Sequence, residues 1–329
     1  ARQMGFWAVL LAVFLYSAWP WLPGQRGTSR TIIVYGFSIL GEVMNSSIFP
    51  AFQDHWKGQT GEHIELISAF AGSGTITHQI EMGVPAQLAI LATGLDAQTL
   101  IDQQLATVEG LPEGGVVNRT PFVILVRPGN PRRIKDFDDL AEQQVGIVHP
   151  DPLTSGGAQW AVLAEYASAL QTGKTPEQAH LRLEKIWRHV VSQASSAQSA
   201  RAQFSSGLGD ALITYEQDLL RDLRRDRLQG EIVYPRSTIL SEHTVVVIPR
   251  NISKQDRPLV DAFAQFLWSA RAQKLFAEAG FRSVDVGYNR GFQAIENPFT
   301  IKDLGGWPRA RAEIIEGIWQ KQVLVVLGR

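Results

Sequence analysis

The sequence predicts a two-lobed α/β protein, with mostly parallel sheets covered by helices. Three observations predict it. Short apolar stretches near 31–35, 64–67, 88–92, 122–126, 145–148, 211–214 and 245–248 alternate with helical sequence, the pattern of strands crossed by helices. A chain of 329 residues can bury a sizeable core, and at that size it is expected to split into two lobes. No internal repeat or low-complexity tract interrupts the alternation.

The N-terminal element comes first. Residues 5–22 are almost wholly apolar, with Arg2 before them and Arg26 and Arg30 after them. Pro20 and Pro23 close the run. A membrane anchor or a cleaved signal peptide would have this form. Tyr16-Ser17-Ala18 is a poor cleavage signal, because Ala-x-Ala is expected, so the retained anchor over 1–27 is the preferred reading. Either reading places the chain from about residue 28 onward in an extracytoplasmic space.

The stretch 31–35, Thr-Ile-Ile-Val-Tyr, reads as a strand and 41–56 as a helix. Ile64-Glu65-Leu66-Ile67 alternates like a strand, Ala71-Gly72-Ser73-Gly74 turns, and Thr75 starts a helix. Residues 150–160 repeat the arrangement: Pro150 and Pro152 break regular structure, then Thr154-Ser155-Gly156-Gly157 opens a helical run. A Ser-Gly-Gly at a helix start presents several backbone N–H groups with no Cβ in the way. With the Ser155 hydroxyl and the helix dipole they make a site for a small anion. The plainer reading is that Thr154 or Ser155 caps the helix.

Composition and motifs exclude several functions. Net charge is −1, which gives no nucleic-acid surface. The dense basic cluster Arg221, Arg224, Arg225 and Arg227 is diluted by Asp222 and Asp226 and reads as a solvated helix face. With no cysteine there is no disulfide and no cysteine-ligated metal. No Gly-Lys-Ser/Thr follows the glycine loops and no Gly-x-Gly-x-x-Gly follows a strand, so nucleotide and dinucleotide loops are not expected. The seven histidines show no metal spacing, and no cofactor is implied. Ser155 lacks the Gly-x-Ser-x-Gly setting of a hydrolase nucleophile. His78 reads as a helix-face residue, Asp210 and Glu216 as structural caps or pairs, and Trp160 and Trp307 as packing residues.

A set of motifs carries a resemblance. They are 51–57 with Thr60-Gly61; Ala71-Gly72-Ser73-Gly74; 127–131 with 136–140; 150–160; 207–216; Ser237-Thr238-Ile239-Leu240; Ala279-Gly280-Phe281-Arg282; and 299–307. In this order, over about residues 31–315, the chain resembles the periplasmic sulfate-binding proteins, the solute receptors of sulfate ABC importers. The resemblance implies a type II periplasmic-binding fold. Lobe I would hold 28–121 and 245–329, and lobe II 122–244, with crossings near 122–126 and 245–248.

It also implies a site. Fully ionised sulfate only accepts hydrogen bonds, so neutral inward donors can hold it. By position the backbone donors would be Phe37, Ser73, Gly156, Gly157 and Ser196. The hydroxyl would be Ser155, and Tyr215 stands at the position of an indole donor. Three departures bear on this. Phe37-Ser38-Ile39-Leu40-Gly41 replaces the usual Asp-Pro-Thr-Arg-Glu. Tyr215 replaces tryptophan, and a phenol accepts as well as donates. Ala194-Ser195-Ser196-Ala197-Gln198 replaces Gly-Ala-Arg-Gly. Gln159 also stands where an arginine is usual.

Two functions are therefore expected. One is an extracytoplasmic receptor for a tetrahedral oxyanion, sulfate first, with an ABC permease as partner. The other is the same fold redeployed as an anchored accessory subunit of a membrane complex. The Ser73, Ser155, Gly156 and Gly157 matches point to the first, and the apolar N-terminus together with the replaced residues around the site to the second.

Overall fold

Two long strands, β4 (Val116–Val126) and β9 (Ser237–Val247), lie side by side at the centre of the molecule and tie its two sheets together. The computed structural model describes residues 29–328. The strand order is β2-β1-β3-β9-β4-β7-β5-β6. On one side stand β1 (Arg30–Phe37), β2 (Ile64–Ala71) and β3 (Leu88–Leu91). On the other stand β5 (Ile147–Pro150), β6 (Val190–Ala194) and β7 (Ala211–Tyr215). Short strands β8 (Glu231–Val233), β10 (Arg282–Ser283) and β11 (Asn297–Phe299) extend β4 and β9.

β4 changes partners midway. Up to Pro121 it pairs with β9; from Phe122 it pairs with β7, Phe122 opposite Tyr215. The apolar pattern announces only 122–126 and 245–248 of these strands. The remainder is polar yet buried, because its hydroxyls are spent on carbonyls across the crossing: Thr238 Oγ1 donates to Phe122 O and Ser241 Oγ to Thr120 O, both at 2.8 Å. The expectation of mostly parallel sheets needs correction. β1–β2, β1–β3, β5–β6, β5–β7 and β9–β11 are parallel. Every pairing of β4, and that of β3 with β9, is antiparallel. The two crossing strands run opposite to each other because the chain passes between the sheets once in each direction.

Helices cover the sheets: α1 (Phe49–Thr60), α2 (Ser73–Glu81), α3 (Gly94–Asp102), α4 (Phe137–Glu142), α5 (Gly156–Gln171), α6 (Pro176–Arg188), α7 (Ala197–Ser205), α8 (Glu216–Arg224), α9 (Arg257–Phe266) and α10 (Ala270–Glu278). Helix α5 is buried on nearly every face, which suits its small and apolar residues. Trp160 within it packs edge-on against Trp307, ring centroids 4.5 Å apart. β3, β5 and β7 are buried along their whole length, as strands covered on both faces are. The apolar segment 1–27 lies outside the described residues, and no described helix is long and apolar enough to cross a membrane.

Candidate functional site

The carboxyl ends of β1, β2, β5, β6 and β7 meet in one place, and a turn or helix starts at each. Phe37 ends β1 before a tight turn over Ser38–Leu40. Ser73 opens α2, Gly156 opens α5, Ser196 precedes α7 and Tyr215 precedes α8. Ligands of open α/β sheets sit in this position, since the first N–H groups of each helix have no carbonyl within it to bond.

The seven residues marked in the sequence are brought together. A Cβ on Gly72 would stand 2.4 Å from Thr154 O and 3.0 Å from Ser195 O, so the α2, α5 and α7 loops touch. A Cβ on Gly156 would meet Thr93 Cγ2 at 2.9 Å, Ala92 Cβ at 3.0 Å and Asp96 Oδ2 at 3.2 Å. One on Gly157 would meet the Tyr215 hydroxyl at 2.9 Å. The Phe37 ring lies 6.1 Å from that of Tyr215, centroid to centroid. Only residues without a side chain allow Gly72 and Gly157 these approaches.

Hydrogen bonds sort side chains from backbone. Ser155 is the N-cap of α5, but its hydroxyl makes no capping bond. Thr154 does not cap either; its Oγ1 donates to Ser195 O at 3.0 Å. The plain capping reading is therefore not realised, and the buried Ser155 hydroxyl is left for other work. The Ser73 hydroxyl, by contrast, is spent: it donates to Asp96 Oδ2 at 2.6 Å and accepts from Ala92 N at 3.0 Å. Ser196 accepts from Ser199 N at 3.1 Å as the cap of α7. What Ser73 and Ser196 can offer an anion is thus their backbone N–H.

Sequence reasoning missed the loop after β3. Thr93 caps α3 by accepting from Asp96 N at 3.0 Å, and its hydroxyl donates to Asp96 Oδ2 at 2.8 Å. Thr93-x-x-Asp96 is a capping spacing that was open to reading. Burial pushes the Asp96 carboxyl above the ordinary range, while the Ser73 and Thr93 bonds pull the other way. The Trp160 indole was read as packing only; it also donates to Ala92 O at 2.6 Å and so ties α5 to the β3 loop. His243, on β9, was not marked at all. Its ring stacks 4.4 Å from Phe37 and 5.5 Å from Tyr215, and Nδ1 bonds Asn118 Oδ1. Burial holds it neutral, its pKa lowered to about 3. Nothing in the sequence around His243 announced this; its neighbours come from four distant segments.

The other marked residues sit elsewhere. His78 is exposed beside Glu81. Asp210 accepts from Gly146 N at 2.9 Å, and Glu216 takes Arg282 in a two-bond pair at 2.8 Å each. Gln159 reaches Pro152 O. The basic cluster is not simply solvated: Arg221 and Arg225 both hold Glu42 at 2.9 Å, across from the other sheet. Among the described residues no group of His, Cys, Asp and Glu is placed to hold a metal.

The arrangement supplies N–H donors, the uncommitted hydroxyls of Ser155 and Tyr215, and four converging helix N-termini, each worth roughly half a positive charge. It can hold a small anion without a neighbouring Lys or Arg. Residues 37–282 match the family model described as bacterial extracellular solute-binding protein. A sulfate-binding protein of Synechococcus elongatus is 31% identical over 93% of this chain and 90% of its own. One of Synechocystis is 29% identical over 86% of this chain and 83% of its own. The solved sulfate-binding protein SubI of Mycobacterium tuberculosis superposes with a TM-score of 0.78 at 26% identity, covering 86% of this chain and 99% of that one.

Proposed function

The chain belongs to the bacterial extracellular solute-binding proteins, and from that premise we propose that it is the receptor for a tetrahedral oxyanion, sulfate first, which it delivers to an ABC importer. The observation that carries this is the meeting of the Phe37, Ser73, Gly156, Gly157 and Ser196 backbone with a Ser155 hydroxyl that caps nothing. Sulfate and its analogues accept hydrogen bonds at every oxygen, and the site offers donors. The dianion is offset by helix N-termini rather than by a counter-cation, which leaves it free to depart when the lobes open.

In this reading lobe I spans 28–121 with 245–329 and lobe II spans 122–244. The support is the change of partner in β4 between Pro121 and Phe122. Closure brings Trp160 and Gly156 of lobe II against Ala92 and Thr93 of lobe I. Segment 1–27 would anchor the receptor to the membrane. Membrane fractionation with N-terminal sequencing tests that part: a soluble protein beginning after Ala18 would make it a signal peptide. The accessory-subunit reading rests on that segment and on the replaced residues around the site, and it yields to the receptor.

Thermal unfolding with sulfate, thiosulfate, molybdate and phosphate tests the receptor. An anion at 100 times its dissociation constant adds about 2.7 kcal/mol of stability. A melting temperature unmoved by every one of them would remove the function.

A further inference from the structure

We propose that the Tyr215 hydroxyl reads the protonation state of the bound anion, so that the site takes oxyanions carrying a proton, such as hydrogen phosphate or hydrogen arsenate, as well as fully ionised sulfate. The proposal rests on the oxyanion-receptor reading above and adds a ligand class to it.

Tyr215 is 1% exposed, and its hydroxyl has no hydrogen-bond partner among the described residues. That hydroxyl lies over Gly157, where a Cβ would come within 2.9 Å of it. It therefore lies against the first turn of α5. A buried phenol without a partner is costly unless something completes it, and the ligand of this site is placed to do so. A phenol is also unlike the backbone donors around it, because it can give a proton or receive one. Toward sulfate it turns its O–H outward to the anion. Toward hydrogen phosphate it accepts the ligand's O–H, provided its own proton has somewhere else to go.

A buried acceptor stands in the same aromatic cluster, and no hydrogen bond joins it to the Tyr215 hydroxyl in this conformation. His243 packs edge-on to the Tyr215 ring at 5.5 Å. Its Nδ1 is bonded to Asn118, and its Nε2 is buried without a partner among the described residues. With Nδ1–H donating to Asn118 Oδ1, Nε2 is a bare acceptor. Phe37, Phe122 and Phe281 line the cluster, at 6.1 and 4.6 Å from Tyr215 and 5.8 Å from His243, and the buried Asp96 and Asp218 carboxyls lie within electrostatic reach of the phenol. A ligand proton thus meets an oxygen lone pair here, where a ring of N–H donors would meet it with a clash of protons.

Calorimetry of the full chain at neutral pH with two size-matched pairs is the test: sulfate against phosphate, and selenate against arsenate. Pairing by size separates the proton from the radius. The expected result is that each protonated anion binds within about 100-fold of its ionised partner. In Tyr215→Trp, whose indole only donates, phosphate and arsenate weaken at least about ten-fold relative to sulfate and selenate. In Tyr215→Phe all four weaken together. Sulfate and selenate bound tightly with phosphate and arsenate undetectable would overturn the proposal and leave the receptor standing. An equal loss of all four anions in Tyr215→Trp would also overturn it, by making the position merely steric. No binding of any anion by the unaltered chain would overturn the receptor itself.

Discussion

The Thr154 carbonyl oxygen lies 2.4 Å from where a Cβ on Gly72 would stand, so two loops from opposite sheets touch at a point that admits only glycine. Gly72 has φ −58° and ψ 139°, which alanine adopts without strain. The glycine is required for space alone. In Gly72→Ala the clash is with backbone, which cannot swing aside, and overpacking of this kind costs ~1–3 kcal/mol. The cost falls only on the conformation in which the loops meet. Anion affinity should therefore drop about 5- to 150-fold, with little change in melting temperature when no anion is added. Titration calorimetry reads the affinity, and thermal unfolding without anion reads the melting temperature. Equal affinity in the variant would show that Gly72 and Thr154 are apart in the bound state.

Ser155→Ala separates binding from folding in the opposite way. The hydroxyl makes no capping bond, so its loss should leave the α5 N-terminus as stable as before. Its bond to a charged ligand is worth ~1.5–3 kcal/mol, or about a 10- to 150-fold rise in Kd. A fall in melting temperature typical of a lost cap, with Kd unchanged, would return Ser155 to a structural role.

The backbone part of this site was legible because helix N-termini leave a mark in sequence. Ser73-Gly74 and Ser155-Gly156-Gly157 follow strands and precede helices, and the alternation over 64–67 marks the strand before the first of them. The side-chain part was not legible. Asp96 reaches Ser73 across 23 positions, Asn118 reaches His243 across 125, and Arg225 reaches Glu42 across 183. The Asn118–His243 pair is made by the crossing of β4 and β9 and the other two by helix ends that meet in space, and no local window contains both members of any of them. The polar halves of those two strands were missed for a related reason. Thr120, Thr238 and Ser241 are buried with their hydrogen bonds made, so they do not follow the apolar alternation that reveals a strand.

Glu42 predicts a latch. It takes Arg221 on one oxygen and Arg225 on the other, both at 2.9 Å, and joins the turn after Phe37 to helix α8. These side chains are partly exposed, so screening leaves each pair ~0.2–1 kcal/mol. Glu42→Gln should speed anion release by about two- to ten-fold at low salt, with the difference shrinking as ionic strength rises. Stopped-flow displacement at two salt concentrations checks it. An effect that salt leaves intact would point to packing of the Phe37 turn rather than to charge.

His243 predicts how stability depends on pH. Burial lowers its pKa to about 3, against 6.5 for an ordinary histidine. The unfolded chain therefore takes up the proton first as pH falls. The sign follows: this residue's contribution is complete above about pH 6.5 and is lost progressively as pH drops toward 3. At pH 5 the loss from this one group is about 2 kcal/mol. Carboxyls titrate in the same range, so the informative quantity is a difference. Urea unfolding at pH 7.5 and pH 5.0 of the unaltered chain and of His243→Leu should show the larger acid loss in the unaltered chain, by about 2 kcal/mol. The variant will start less stable, because Asn118 then lacks its partner, but that penalty is the same at both pH values and cancels. Equal acid losses in the two proteins would mean that the ring reaches water and titrates as an ordinary histidine, and the closed aromatic cluster around Phe37 and Tyr215 would have to be abandoned.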